Sequence, residues 1–186
     1  NFTILTDPIF STRASPYKNI IGVARDVPPA WSIEELMKHH ATNALSCTDG
    51  EGREQSADIR KLDICCVTHD HYDHMDRESV IDLKDHVQLW VVPLGIADWL
   101  VEKCSIDEKR IVELRWWEQL RIGKKEGRVV VLESDENEDS TFFREDSSDD
   151  QILTVTCCPS SHWAGRTLWD RNKVRKQTIW LQRTFG

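Results

Sequence analysis

The sequence predicts a layered α/β fold. Short apolar runs bounded by charges, such as residues 62–68, are typical of buried central strands. These runs alternate with segments of helical character, and two of them lead into loops that contain histidines. With 186 residues, of which 39% are hydrophobic, the chain can bury one sizeable core. We therefore expect one domain or a large piece of one.

The elements can be placed in order along the chain. Helix signals start with Ser32 as a cap before residues 33–40, where Glu34 and Glu35 occupy the first turn. Asp76 is the predicted N-cap of a helix that ends near residue 84. The remaining expectations are a helix at 95–103, a loop at 41–59, a turn at 123–127, and strands at 2–5, 62–68, 87–92, 112–114, 120–122, 128–132 and 152–158.

The net charge of −8 is concentrated in one place. Residues 133–150, called the acidic segment below, contain nine acidic side chains and only one basic side chain, Arg144. The rest of the chain balances at 23 acidic and 23 basic residues. A neutral domain has no electrostatic attraction for nucleic acid, so no nucleic-acid partner is expected. We interpret the acidic segment as a solvated insertion at the tip of a hairpin between the strands at 128–132 and 152–158.

Several compositional features bear on the location of the protein. No run of about 18 uninterrupted apolar residues is present, so no transmembrane segment is expected. The chain opens on Asn1 and an apolar run, which is the pattern of an internal start. The chain has six cysteines, Cys47, Cys65, Cys66, Cys104, Cys157 and Cys158. They lack the spacing of a zinc ribbon. We therefore expect buried, reduced thiols in an intracellular protein.

The densest cluster of potential metal ligands follows the predicted strand at 62–68. His69 and His71 are two positions apart, so in an extended segment both project from the same face. Asp73 and His74 follow where the chain turns into the next helix, and they can face a second ion. Imidazole and carboxylate groups are the ligands that zinc accepts. The motif therefore predicts a zinc site.

His162 is a further candidate ligand. It follows the strand predicted at 152–158, and layered α/β folds place binding loops at the carboxyl ends of strands. Taken alone, it is more readily an ordinary histidine. Its position relative to the first cluster makes it the expected third ligand of the ion held by His69 and His71.

The motif H-x-H-x-D-H after a strand resembles the metallo-β-lactamase superfamily. More of the chain is similar to one branch of that superfamily, the N-acyl-phosphatidylethanolamine-hydrolysing phospholipases D and their bacterial relatives. The similarity extends from about Leu5 to Val174. The stretches that carry it are residues 5–11, 13–16, 68–76, 92–95, 98–99, 113–114, 116–118, 161–163, 166–168 and 170–174.

The resemblance implies an αββα sandwich that carries two zinc ions. It implies that His69, His71 and His162 hold one zinc, that Asp73 and His74 help to hold the other, and that Asp73 also orients the catalytic water. The implied reaction cleaves N-acyl-phosphatidylethanolamine into N-acylethanolamine and phosphatidic acid. A phospholipid substrate makes peripheral membrane contact possible, so the intracellular protein expected from its thiols is either cytoplasmic or peripheral on a membrane.

The sequence departs from the family pattern after Val174. The family continues with a Gly-Asp-Thr-Gly loop, whose Asp bridges the two zincs, and with a final His, and neither is matched here. We therefore expect residues 1–186 to form an incomplete domain, the first half to two thirds of the sandwich without its second sheet, and to hold one zinc. Open alternatives are another metal-dependent hydrolase of this fold, such as a lactonase, and an inactive zinc-binding fragment.

No residue that binds substrate can be assigned from the sequence. Trp116, Trp117 and Trp163 suit an apolar entrance for acyl chains. Core packing is the commoner fate of tryptophan, and it is the interpretation we favour for all three.

Overall fold

The structure is a computed structural model that describes residues 1–15, 22–46, 61–125, 127–132 and 152–160. It also describes the backbone, without side chains, at 162–163, 174–175 and 178–182, and at 14, 23 and 43–46 within the ranges above. The helices are α1 (Ile33–Ser46), α2 (Arg77–Leu83) and α3 (Ala97–Cys104). The strands are β1 (Ile4–Thr6), β2 (Arg13–Ala14), β3 (Val23–Ala24), β4 (Leu62–Cys66), β5 (Val87–Pro93), β6 (Ile111–Leu114), β7 (Gln119–Lys125), β8 (Arg128–Leu132), β9 (Leu153–Cys158), β10 (His162–Trp163), β11 (Val174–Arg175) and β12 (Thr178–Gln182).

The first sheet is parallel and has the order β1-β4-β5-β6. All five residues of β4 are buried, which is why its sequence is a continuous apolar run apart from Asp63. Successive side chains of a strand point to opposite faces, and the two cysteines of β4 illustrate this. Cys65 packs in the cluster that includes Val80 of α2 and Leu100 of α3. Cys66 packs in the cluster that includes Val155 of β9 in the second sheet.

The second sheet is antiparallel and has the order β12-β9-β7-β8. Its inner face, with Leu120, Ile122 and Val155, packs against Ile64 and Val91 of the first sheet. The expectation that the second sheet is absent was therefore wrong. Three of its strands, β7, β8 and β9, overlap the strands predicted at 120–122, 128–132 and 152–158, but no local pattern showed that they form a separate sheet. The predicted mixed α/β architecture, with helices packed on a parallel sheet, is confirmed.

Two local predictions in the second sheet were also wrong. Strands β8 and β9 do not form a hairpin, because they lie on opposite sides of β7 and each pairs with it. The turn predicted at 123–127 is shorter, since β7 continues to Lys125. Gly123 pairs with Val130, and a Cβ atom at this glycine would lie 3.5 Å from the Leu132 side chain. That distance is an ordinary van der Waals contact, so Gly123 is a regular strand residue and does not mark a bend.

Helix α1 confirms one prediction and corrects another. It begins at a capping box in which the Glu35 backbone amide donates to Ser32 Oγ at 3.2 Å, and the Ser32 amide donates to Glu35 Oε2 at 2.7 Å. Hydrogen bonds from the Ser32 backbone amide and from the Ser32 side chain to the Glu35 carboxyl lower the pKa of that carboxyl. The helix continues to Ser46, so residues 41–46 are not the loop we expected. Residues 47–59 of that expected loop and the acidic segment lie outside the described residues.

Helix α3 is capped by a side chain from another element. Glu113 of β6 accepts backbone hydrogen bonds through one oxygen, Oε1, from Gly95 at 2.8 Å, Ile96 at 2.8 Å and Ala97 at 2.6 Å. The first amides of a helix have no partner within it, and a carboxylate at this end also complements the helix dipole. Gly95 adopts φ +91°, a left-handed conformation that a glycine accommodates easily. Glu113 therefore fixes α3 against the carboxyl end of β6.

A buried carboxylate joins the two sheets at their opposite end. Asp63 is 1% exposed and accepts from the Thr3 amide at 2.7 Å and from Lys124 Nζ of β7 at 2.8 Å. Gln88 Nε2 of β5 also donates to it, at 3.2 Å. Asp63 lies at the amino end of β4, whereas the histidine motif follows the carboxyl end. This network therefore stabilises the scaffold away from the candidate site.

The predicted buried thiols are found for four of the five described cysteines. The described cysteines are free thiols, and Cys65, Cys66, Cys104 and Cys157 are buried while Cys158 is half-buried. Cys47 lies outside the described residues. Among the described helices, none has the length and apolar character that crossing a membrane requires.

Candidate metal centre

The histidine motif forms a tight turn directly after β4. The backbone amides of His74 and Met75 both donate to the carbonyl oxygen of His71, at 3.0 and 2.7 Å. Asp76 then caps α2 by accepting from the Ser79 amide at 3.1 Å, as predicted. The turn reverses the chain within a few residues. Its ring-bearing side chains are consequently held at the carboxyl edge of the parallel sheet.

The structure brings three histidines of the motif together. The ring centroids of His69 and His71 are 4.7 Å apart, and those of His69 and His74 are 4.0 Å apart. His71 is buried, whereas the His74 side chain is 37% exposed. Asp73 lies at the open side of the cluster, with its Oδ2 atom 3.8 Å from His74 Nε2 and 68% of its side chain exposed. The cluster is thus closed toward the core and open beside Asp73.

Asp7 belongs to this centre, although it was not among the metal ligands predicted from the sequence. One oxygen, Oδ1, accepts from the Thr68 amide at 2.7 Å. The other, Oδ2, accepts from the Thr68 hydroxyl at 2.7 Å and lies 2.8 Å from His74 Nδ1. Asp7 follows β1, which pairs in parallel with β4, so it emerges beside the motif. A polar residue directly after the first strand of a parallel sheet was the available signal.

The segment that carries Asp7 is tied to α2. The Phe10 amide donates to Ser79 Oγ at 2.8 Å, and the Ser11 hydroxyl donates to Asp76 Oδ2. The acceptors of both bonds are buried, since Ser79 is 1% and Asp76 3% exposed. Asp7 itself adopts φ +46°, a conformation that Asp tolerates better than most residues. The loop after β1 is therefore fixed relative to the histidine turn.

His162 lies in β10, which pairs antiparallel with β11 through the His162 and Arg175 positions. Its side chain is outside the described part of the structure, so its role as third ligand stays a prediction. Among the side chains that are described, no three from His, Cys, Asp and Glu are arranged to hold a metal ion. The described side chains therefore include the ligands of the motif but no further metal ligand from another loop.

The chemistry of the described donors fits zinc. Zinc sites in proteins use imidazole nitrogens and carboxylate oxygens, and a metal-binding histidine usually has its other ring nitrogen held by an oxygen. Both features occur here, because His74 Nδ1 contacts Asp7 and His69 Nδ1 lies 2.9 Å from Thr68 Oγ1. The Nε2 atoms of His69 and His74 are accordingly the ring atoms that would bind metal.

The described tryptophans that were expected in the core differ in how far they are buried. Trp116 is half-buried and packs against the core between the sheets. Trp117 is 69% exposed, so the core assignment was wrong for this residue. It lies in the turn after β6, where its amide donates to the Cys157 carbonyl at 2.6 Å and its φ is +69°. The side chain of Trp163 is outside the described residues.

A cavity of about 260 Å³ lies behind the histidine turn. Asp70 and Met75 of the turn form one wall, and Trp99 of α3 contributes to the other. Asp70 lies between His69 and His71 in sequence. The cavity is open to solvent and is lined by Asp70, Met75, Gly95, Ile96, Asp98, Trp99 and Glu102.

The buried cysteines are poor candidates for nucleophiles. Burial raises the pKa of the Cys66 thiol to about 12, with a smaller contribution from the Asp7 carboxylate. Burial likewise raises the pKa of Cys157 to about 11 and that of Cys65 well above its ordinary range. A thiol acts as a nucleophile only as thiolate. Near neutral pH these three side chains therefore act as small apolar core residues.

Comparison with known proteins identifies a family and several relatives. A model described as the Beta-lactamase superfamily domain matches residues 3–182. An uncharacterized protein of Mycobacterium tuberculosis (strain H37Rv) is 27% identical over 185 residues, which make up 99% of this chain and 34% of that protein. The similarity to the superfamily inferred from the motifs is thereby confirmed.

Two relatives carry the name of the branch that the motifs resemble. The mitochondrial N-acyl-phosphatidylethanolamine-hydrolyzing phospholipase D of Saccharomyces cerevisiae is 30% identical over 122 residues, 64% of this chain and 20% of that protein. N-acyl-phosphatidylethanolamine-hydrolyzing phospholipase D 1 of Caenorhabditis elegans is 27% identical over 171 residues, 90% of this chain and 35% of that protein. The chain spans about a third or less of the length of these relatives.

Proposed function

Because this chain belongs to the beta-lactamase superfamily, we propose that it is part of a zinc-dependent phosphodiesterase that hydrolyses N-acyl-phosphatidylethanolamine to N-acylethanolamine and phosphatidic acid. The yeast and nematode relatives support this substrate class through the activity in their names. Fold alone does not fix a substrate, so the proposal depends on the site as well.

The observation that carries the proposal is the histidine cluster at the carboxyl edge of the parallel sheet. His69, His71 and His74 lie side by side, and the edge where parallel strands end is where layered α/β folds bind ligands. In the proposed site, His69 and His71 bind one zinc together with His162. Asp73 and His74 contribute to the second zinc.

In the proposed site, the side chains have different roles according to their positions. Asp7 and Thr68 orient the histidines from the protein side. Asp73, on the open side, is placed to accept a hydrogen bond from a water and to orient it toward a phosphorus atom. Zinc, when bound, supplies Lewis-acid chemistry, since it lowers the pKa of a bound water to about 7 and neutralises charge on phosphoryl oxygens.

A phospholipid substrate places the protein at a membrane surface, so we include peripheral membrane contact in the proposal. Leu94 follows β5 and Trp117 follows β6, both at the edge of the sheet that carries the histidine cluster. They are 41% and 69% exposed. Tryptophan is common where one side of a protein meets the boundary between lipid and water.

Release of N-acylethanolamine from N-acyl-phosphatidylethanolamine vesicles tests the function. The assay is run on this chain and on a chimera in which the following sequence of the nematode relative continues it. Zinc-dependent release that His71→Ala abolishes and His86→Ala preserves supports the proposal. His86 is an exposed histidine at the opposite edge of the sheet, before β5.

The same samples separate the alternatives. Hydrolysis of lactones or other esters without release from the phospholipid would identify a different hydrolase of the same fold. Zinc binding without turnover of any substrate by either protein would identify a binding role. Each of these results contradicts the phosphodiesterase proposal.

A further inference from the structure

One carboxylate is connected to two histidines of the cluster. Asp7 Oδ2 lies 2.8 Å from His74 Nδ1 and 2.7 Å from Thr68 Oγ1, and Thr68 Oγ1 lies 2.9 Å from His69 Nδ1. Asp7 is separated by more than 60 positions from both Thr68 and His74. The contacts therefore depend on the pairing of β1 with β4 and not on local sequence.

We propose that Thr68 is a positioning residue whose hydroxyl extends the influence of Asp7 to His69, so that a single carboxylate determines which ring nitrogen carries the proton in both His69 and His74. This inference rests on the proposed role of the cluster in binding metal. It concerns the protein's own protons, and it can be tested without metal or substrate.

The number of available protons fixes the direction of each bond. An ionised carboxylate only accepts, so His74 must donate its Nδ1 proton to Asp7. A hydroxyl has one proton, and Thr68 donates it to Asp7 Oδ2. The lone pairs of Thr68 Oγ1 are then left to accept, so His69 must donate its Nδ1 proton to Thr68.

Both rings are thereby held in the form that carries the proton on Nδ1. In a neutral imidazole the other nitrogen, Nε2, then has a free electron pair, which is the form that binds a metal. The ring centroids of His69 and His74 are 4.0 Å apart, so the Nε2 electron pairs of both rings become available within one small cluster. Removing the Thr68 hydroxyl should release only His69, whereas removing the Asp7 carboxylate should release both histidines.

Nitrogen-15 NMR of the metal-free chain at pH 8 measures this directly, because the shifts of the two ring nitrogens report which one is protonated. The parent is compared with Thr68→Val, which keeps the shape but lacks the hydroxyl, and with Thr68→Ser, which keeps the hydroxyl. Thr42→Val is the matched control, since the Thr42 hydroxyl donates only to the Lys38 carbonyl within α1.

The expected result has three parts. In the parent, His69 and His74 carry the proton on Nδ1. In Thr68→Val, His69 shifts toward the form protonated on Nε2 while His74 keeps its state, and zinc affinity measured against a chelator falls roughly 10- to 100-fold. Thr68→Ser restores both the NMR signature and the affinity, and Thr42→Val changes neither.

The parent measurement alone can overturn the inference. His69 protonated on Nε2 in the unsubstituted chain contradicts it even if every variant folds poorly. An unchanged His69 in a folded Thr68→Val variant contradicts it as well. Neither result depends on hydrolysis. A negative phosphodiesterase assay therefore does not contradict the inference about Thr68. A negative NMR result likewise does not contradict the proposed phosphodiesterase activity.

Discussion

Asp7 and His74 are in contact although 67 positions separate them, with 2.8 Å between Asp7 Oδ2 and His74 Nδ1. The contact exists because β1 pairs in parallel with β4, which aligns Thr6 with Cys66 and brings both strand ends to the same edge. The short loop after β1 thus supports the longer histidine turn. This arrangement makes the amino-terminal strand part of the candidate metal centre and not only of the sheet.

We expect the chain to bind about one zinc tightly, because three neutral imidazoles make a sufficient site whereas Asp73 and His74 alone do not. Elemental analysis after dialysis measures the content. His162→Ala should weaken binding as much as His69→Ala, and His86→Ala, at the far edge of the sheet, should leave it unchanged. Two tightly held ions would show that the ligand assignment is wrong, and none would show that the site does not assemble.

Glu113→Gln is expected to destabilise the fold by about 1–3 kcal/mol, because a neutral amide oxygen is a weaker acceptor for the three amides at the start of α3. Urea unfolding measures the difference. The control is Glu108→Gln, a change at an exposed residue of a short 3₁₀ turn. An equal effect of both substitutions would show that the cap adds little beyond ordinary surface charge.

Elements with a complete local signal were predicted correctly from the sequence. Strand β4 is a buried apolar run, and α2 has its capping Asp76 and a periodic apolar face. Helix α1 was predicted too short, because the polar sequence after Ala41 resembles a loop. Local patterns thus located elements well and their ends poorly.

The errors in topology and in the site have a different origin. The order of β8 and β9 around β7, and the contact of Asp7 with the histidine turn, are decided by packing between distant segments. A single amino-acid sequence contains no local pattern that predicts such pairings. Once β1 is placed beside β4, however, the position of Asp7 follows from the geometry of a parallel sheet.

Asp63→Ala should cost about 3–5 kcal/mol, because it leaves Lys124 without its buried partner and the Thr3 amide without an acceptor. The loss should appear in denaturant unfolding. Glu102→Ala is a suitable comparison, since it breaks an exposed ion pair with Lys103 and should cost about 1 kcal/mol or less. Zinc content should be unchanged in folded Asp63→Ala, and its loss would contradict the assignment of Asp63 to the scaffold alone.

The stability of the fold is expected to fall above pH 9. The pKa of Cys66 is raised from 9.0 to about 12 in the folded chain, so between these values the unfolded chain releases a proton that the folded chain keeps. Stability therefore decreases as pH rises, by up to about 1.4 kcal/mol per pH unit for this thiol. Unfolding under reducing conditions at pH 8, 10 and 11 measures the slope. A Cys66→Val variant should show a smaller slope, and an equal slope would contradict the role of Cys66.

Replacing the acidic segment by a Gly/Ser linker of about six residues should leave folding and zinc binding unchanged. Arg121 of β7 pairs with Leu132 on one side and with Thr154 on the other, so β8 ends about where β9 begins. Strands β8 and β9 are separated by β7 and therefore lie roughly 10 Å apart, a distance that such a linker spans.

The composition of the segment supports the same outcome, because a run this rich in acids has little apolar surface to bury, and shortening a long loop changes its closure entropy only slightly. Thermal unfolding of the parent and the shortened chain is the measurement. A control linker with the original length but neutral composition separates charge from length. A large fall in melting temperature in both variants would contradict this prediction and would indicate that Phe142 and Phe143, the one apolar pair in the segment, pack against the domain.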